Sequence, residues 1–263
     1  AAAGCDLRTF CAGHPVAGRE RGGPSAARAD LFRDRVWVLC PTADTSAAAL
    51  AAAEELATTC GGRPVRTSPQ RHDAAMAVLS HVPQLVASLL AGTVDGLPAE
   101  EVRLAGQGFR DVTRLADSDP ALWGQIVEGN RRPVGRRLRE LAGELDRLAD
   151  LLLRDPAGPD QPVVEAVSEV VRRGRAARAR LPAKPGGPAH TWAWVGVVVP
   201  DRPGQLAALF TSVSGWAVNV EDVLVEHRGD SMAGIVELAV AAAVAEDLEA
   251  RLTEAGWTAY RRA

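Results

Sequence analysis

Apolar residues recur along this chain with more than one period, and each period predicts a different kind of element. Arg35-Val36-Trp37-Val38-Leu39-Cys40 is a short apolar run that stops at Pro41, the pattern of a buried parallel strand. Thr45 to Thr59, through Ala52, Glu55 and Leu56, reads as a helix with an acidic, N-capped start that Gly61-Gly62 ends. Pro64-Val65-Arg66 follows as another short strand. Strand, helix, strand at this spacing predicts the tail end of an α/β domain over residues 1–67.

From about Ser68 to Leu153 the period is helical. Ala75, Leu79, Val82, Val86 and Leu89 fall at helical spacing among apolar neighbours, which predicts a helix buried on all sides and kinked at Pro83. Val134, Leu138, Leu141, Leu145, Leu148 and Leu152 step by three and four with charges between them. That is a long amphipathic helix suited to pairing in a bundle or between subunits. Val163 to Ala179 predicts a further helix, ending in Arg172, Arg173, Arg175, Arg178 and Arg180, which read as a solvated face or a dipole complement. An all-α domain over residues 68–181 results, and the Pro- and Gly-rich residues 182–190 have linker composition.

Residues 191–263 read as a separate module. Trp192 to Val199, Val218 to His227, Ile235 to Val240 and Trp257 to Arg261 are strand-like, while Gly204 to Ser214 and Glu246 to Ala255 are helix-like. The order βαββαβ predicts an antiparallel sheet with two helices on one face, an α+β fold.

Composition narrows the picture further. With 263 residues, 47% of them hydrophobic and 24% charged, the chain can bury real cores, which excludes wholesale disorder. Its 30 basic and 33 acidic residues leave a net charge of -3, against a general binder of nucleic acid. Cys5, Cys11, Cys40 and Cys60 have no metal-ligand spacing, so no metal is expected and a reduced, cytoplasmic chain is the simple reading. No apolar run approaches the ~20 residues of a membrane span, and no signal peptide opens the chain.

Three segments could carry chemistry. In Gly13-His14-Pro15-Val16-Ala17-Gly18-Arg19-Glu20, glycines bracket a histidine that could approach a ligand closely and exchange a proton near neutral pH; an exposed loop histidine is the competing reading. Ser80-His81 and Gln84 are polar groups on the apolar helix and need partners, which a hydrogen-bonded core would satisfy as well as a ligand. Arg110 and Arg114 are four apart and share a helix face near Trp123, an arrangement suited to a small dicarboxylate. Arg114 paired to Asp111 or Asp117 on a surface helix is the alternative.

Taken together, GHPVAGRE at 13 to 20, SHVPQ at 80 to 84, GFRDVTRLADSDPALW at 108 to 123 and DRPGQLA at 201 to 207 resemble the prephenate dehydrogenase family. The likeness is strongest to its actinobacterial members with a C-terminal ACT domain. The resemblance implies a Rossmann-like domain, a helical dimerisation and substrate domain, and an ACT domain. It implies NAD-dependent oxidative decarboxylation of prephenate to 4-hydroxyphenylpyruvate in tyrosine biosynthesis, by a homodimer. It assigns His14 as the catalytic histidine, Arg114 as a carboxylate-binding arginine, and Arg110, Glu20, Ser80, Gln84 and Trp123 as pocket residues. Gln84 stands where some relatives carry a second histidine, which leaves arogenate as the alternative substrate.

The family opens with a strand, a glycine-rich turn and a helix that grip the cofactor pyrophosphate, and no such fingerprint occurs in these 263 residues. The expectation is of a chain that starts roughly 90 to 100 residues late and is incomplete as an enzyme. A non-catalytic regulatory or dimerising remnant is the reading from another class. In the C-terminal module the resemblance assigns Asp201, Gly204, Gln205, Leu206 and Asn219 to an effector site, with tyrosine as the expected ligand.

Overall fold

Trp37 organises the first layer of the structure. It lies on β2 (Val36–Cys40), between β1 (Ala12–Pro15) and β3 (Arg63–Arg66), in a sheet where β1 pairs antiparallel to β2 and β3 parallel to it. The computed structural model describes residues 6–18, 27–154, 161–181, 192–227 and 233–262. Helix α1 (Ala47–Thr59), with the Ser46 hydroxyl accepting from the Ala49 N–H at 3.1 Å, makes the crossover from β2 to β3. β1 corrects the expectation of a loop around His14. A Cβ at Gly13 would stand 3.0 Å from the Trp37 indole nitrogen, so glycine there lets the strand close onto β2, and His14 pairs opposite Val38.

The helical region follows. α2 (Pro69–Met76) is capped by Ser68, a wide π-type turn covers Ala77–His81, and α3 (Val82–Gly92) continues the axis. The wide turn falls just before Pro83, which lacks an N–H and whose ring would collide with the Leu79 carbonyl in a regular helix. Then come α4 (Ala99–Val102), α5 (Gln107–Thr113), a 3-10 turn Arg114–Asp117, α6 (Pro120–Gly129), α7 (Arg131–Leu152) and α8 (Gln161–Arg178).

Two sequence expectations change here. The 69–92 helix is not buried all round: Ala77 and Ala87 are buried, but Leu79 is 63% and Leu89 69% exposed. It packs with one side on α5, α7 and the 3-10 turn, and among the described residues nothing covers Leu79 and Leu89. Pro69–Gly92 is also 24 residues long, long and apolar enough by length and composition to cross a membrane, contrary to the expectation of no such run. Its buried His81 and Gln84 are hydrogen-bonded to neighbouring elements of the same domain, as in a core helix.

The chain divides into compact units at 1–175 and 176–263. The linker expected at 182–190 lies outside the described residues. In the second unit β4 (Trp192–Pro200), α9 (Gln205–Gly215), β5 (Asp222–His227), β6 (Ala233–Ala241), α10 (Ala245–Glu254) and β7 (Thr258–Arg261) follow in the expected βαββαβ order. The sheet is antiparallel with order β5-β6-β4-β7. Alternate residues Val195, Val197 and Val199 of β4 and Val236, Leu238 and Val240 of β6 bury against Leu209, Val213, Leu248 and Leu252, which puts both helices on one face.

Candidate active site

His14 is half-buried on β1, and its ring reaches α2. His14 Nδ1 lies 2.8 Å from His72 Nε2, the rings edge to face, and His72 Nδ1 lies 2.9 Å from Asp73 Oδ1. Burial first, then the neighbouring His72 and His81, push the His14 pKa below the ordinary histidine value of 6.5. An imidazole so placed is neutral at pH 7 and able to accept a proton.

His81, at the end of the π-type turn, is buried and stands edge-on to Trp123 with ring centroids 6.2 Å apart. Asn130, at the junction of α6 and α7, donates from Nδ2 both to the Asp73 carbonyl oxygen at 2.8 Å and to His81 Nδ1 at 3.1 Å. Since the Asp73 carbonyl can only accept, the amide orientation is set, and His81 Nδ1 must be the accepting nitrogen of a neutral ring. Burial, then His72, hold the His81 pKa below 6.5, with Asp73 opposing.

Both lowered histidines have a consequence for stability. An unfolded chain takes up protons below pH ~6.5 that the folded one refuses, so stability falls as pH drops through that region and is unaffected by these groups above it. Melting temperatures of the 263-residue chain measured from pH 8 to pH 5 should decline below pH ~6.5, and His14→Asn should flatten part of the slope. A flat profile in the wild-type chain would contradict the burial of these rings.

The other expected residues are dispersed around this network. Gln84 is buried, and its amide is engaged within the chain: Nε2 donates to the Leu115 carbonyl at 2.6 Å, and Oε1 accepts from the Ser118 hydroxyl at 3.3 Å. It therefore braces the 3-10 turn on which Arg114 stands. Arg114 begins that turn and is exposed; Arg110 is exposed on α5; Ser80 is partly buried in the π-type turn. Neither Ser80 nor Arg110 hydrogen-bonds to the histidine network among the described residues. Glu20 lies outside the described residues. His72, Asp73 and Asn130 were not singled out by the sequence reading, although a polar His-Asp pair one turn after the Ser68-Pro69 helix start was a visible signal. Among the described residues no three histidine, cysteine or acidic side chains converge to hold a metal.

In the second unit Gly204, at φ 88°, precedes α9, with Asp201 and Leu206 exposed beside it and Gln205 partly buried. Asn219, expected on the second strand, lies in the connection before β5, and its amide donates to the Glu221 carboxylate.

Two family models divide the first unit. "Prephenate dehydrogenase, nucleotide-binding domain" matches residues 2–66, and "Prephenate dehydrogenase, dimerization domain" matches residues 68–159. A relative named probable prephenate dehydrogenase NovF, from Streptomyces niveus, is 37% identical over 263 residues, 98% of this chain and 72% of the relative. The chain belongs to the prephenate dehydrogenase family.

Prephenate dehydrogenase from Bacillus subtilis is 27% identical over 232 residues, 87% of this chain and 61% of the relative. The solved prephenate dehydrogenase of A. aeolicus, in complex with hydroxyphenyl propionate and NAD+, matches with a TM-score of 0.55 at 29% identity, over 65% of this chain and 59% of that one. Synechocystis arogenate dehydrogenase matches with a TM-score of 0.53 at 27% identity, over 65% of this chain and 62% of that one. The chain thus spans about three fifths of the length of these last three proteins. In prephenate dehydrogenase terms, β1 to β3 belong to the nucleotide-binding domain and the Pro69–Gly92 helix opens the dimerisation domain.

Tested against NAD, the described residues supply one part of a site. His14 stands at the domain junction with a proton-accepting ring, while no glycine-rich strand-to-helix turn among the described residues could grip a pyrophosphate. No residue of this chain is therefore assigned to the cofactor phosphates.

Proposed function

We propose that this protein catalyses the oxidative decarboxylation of prephenate to 4-hydroxyphenylpyruvate. The observation that carries the reading is His14, a half-buried imidazole with a lowered pKa, backed by His72 and Asp73 where the nucleotide-binding and dimerisation regions meet. NAD, when bound, supplies the hydride acceptor.

His14 takes the proton of the substrate's ring hydroxyl as the C–H electron pair on the same carbon departs, so that carbon becomes a carbonyl. The ring carboxylate then leaves as carbon dioxide. Its bonding pair flows through the ring onto the oxygen, which recovers the proton from His14 and becomes a phenol. Arg114, with Arg110 one turn earlier, supplies guanidinium groups for the substrate carboxylates, and Gln84 holds the Arg114 turn in place. Trp123, edge-on to His81, offers an apolar face to the substrate ring.

The exposed apolar side of the 69–92 helix, with Leu79 and Leu89, is the face through which two chains would pair as a homodimer. The βαββαβ unit is read as an ACT domain that takes tyrosine through Asp201, Gly204, Gln205, Leu206 and Asn219, in a cytoplasmic enzyme of tyrosine synthesis. The test is kcat/KM for prephenate against arogenate with NAD, with and without tyrosine, in an enzyme in which this chain is joined to a complete nucleotide-binding domain. Prephenate should be preferred and tyrosine should inhibit. Faster turnover of arogenate would move the assignment to arogenate dehydrogenase, and no turnover of either would favour a non-catalytic regulator.

A further inference from the structure

We propose that His72, itself held by Asp73, is a positioning residue that keeps His14 in the Nδ1–H tautomer and so leaves His14 Nε2 as the basic nitrogen. Asp73 Oδ1, 2.9 Å from His72 Nδ1, is an acceptor, so His72 Nδ1 carries the proton. When His72 carries that single ring proton, its Nε2 is bare and can only accept. That nitrogen is 2.8 Å from His14 Nδ1, so His14 Nδ1 must donate, and the one lone pair left on a neutral His14 is on Nε2. The opposite arrangement would set a bare His72 Nδ1 against the Asp73 carboxylate, acceptor facing acceptor.

Three elements hold the relay. His14 comes from β1, and His72 and Asp73 come from the first helical turns after Ser68. Asn130 grips the Asp73 carbonyl oxygen at 2.8 Å and so anchors that stretch of helix to the start of α7. The His72 side chain is only 19% exposed, whereas the Asp73 carboxylate is 51% exposed, so the relay runs from a sheltered base to the solvent edge. When His14 gains a proton on Nε2, its Nδ1–H already points at an acceptor, and the ring stays in place as it becomes charged. This is the service an acceptor behind a catalytic histidine provides in general, with an imidazole interposed before the carboxylate.

The inference rests on the proposed role of His14 only for its kinetic arm; the tautomer itself is read without any reaction. Two-bond 1H–15N spectra of 15N-histidine-labelled chain, all 263 residues at pH 8, report which nitrogen of each ring carries the proton. Wild-type His14 should show a protonated Nδ1 and a bare Nε2. His72→Phe, and Asp73→Ala as the alternative should the first not fold, should shift His14 towards Nε2–H. A wild-type His14 protonated on Nε2, or a tautomer unmoved in a folded variant, would overturn the proposal. In an enzyme with a complete nucleotide-binding domain the same variants should lower kcat by about 10- to 100-fold and leave KM nearly unchanged. A shifted tautomer with unchanged kcat would uphold the positioning role while removing His14 from the chemistry.

Discussion

His14→Asn is expected to lower kcat by about 10²–10⁴-fold, the range for a lost general base, while leaving KM within about twofold. Asparagine keeps a polar side chain of similar reach but cannot take up a proton, so substrate binding survives and proton removal does not. The measurement is steady-state turnover of prephenate, with the melting temperature as control, in an enzyme with a complete nucleotide-binding domain. The pH profile carries a second signature. Burial and the two neighbouring histidines disfavour the charged ring, so His14 stays basic to lower pH than an exposed histidine, and the acid limb of kcat/KM should fall below pH 6.5. That limb should vanish in His14→Asn. Unchanged turnover in the variant would end the catalytic assignment.

Arg114→Ala is expected to act on the other kinetic constant. A guanidinium that holds a substrate carboxylate by two charge-assisted hydrogen bonds contributes about 3 kcal/mol, so its removal should raise KM by about 10²-fold. Because the carboxylate it binds is present in ground and transition states alike, kcat should change far less. Arg114→Lys should recover only part of the loss, since one ammonium does not reproduce a planar fork. The turn that carries Arg114 is braced by Gln84 from the buried side of α3. The variant should therefore melt within about 1–2 °C of the parent, the expectation for a surface change of no more than ~0.5 kcal/mol in a chain of this size. A fall in kcat with KM unchanged would place Arg114 in the chemical step and refute a binding role.

Much of this protein's local structure follows directly from its residue pattern. The run Val36–Cys40, the Ser46-capped helix and the Arg63–Arg66 strand appear where the apolar run, capping and the Gly61-Gly62 pair put them. The βαββαβ order of the second unit was legible because its strands bury alternate valines on one face. What pattern could not show were contacts that depend on long sequence separation. His14 and His72 are 58 residues apart and meet only because Gly13 lets β1 close over Trp37 and so brings the strand beside α2.

Periodicity misread the Pro69–Gly92 helix for a related reason. Hydrophobicity all round predicts burial all round, yet burial depends on what is present to cover each face, and the described residues leave Leu79 and Leu89 exposed. The π-type turn at Ala77–His81 is likewise absent from any regular period. His72 and His81 are nine residues apart, about two and a half turns of a regular helix, which would put them on opposite sides. The wider turn before Pro83 rotates His81 back, so that Asn130 can bond both its ring and the Asp73 carbonyl. The sequence by itself thus determined most of the regular helices and strands, the family and the residue types available for proton transfer and anion binding, because these rest on short-range sterics, capping and side-chain chemistry. Only the tertiary structure decided which histidines face one another, which nitrogen of each can be basic, and which polar groups brace the fold, because hydrogen-bond partners and desolvation are properties of the packed chain.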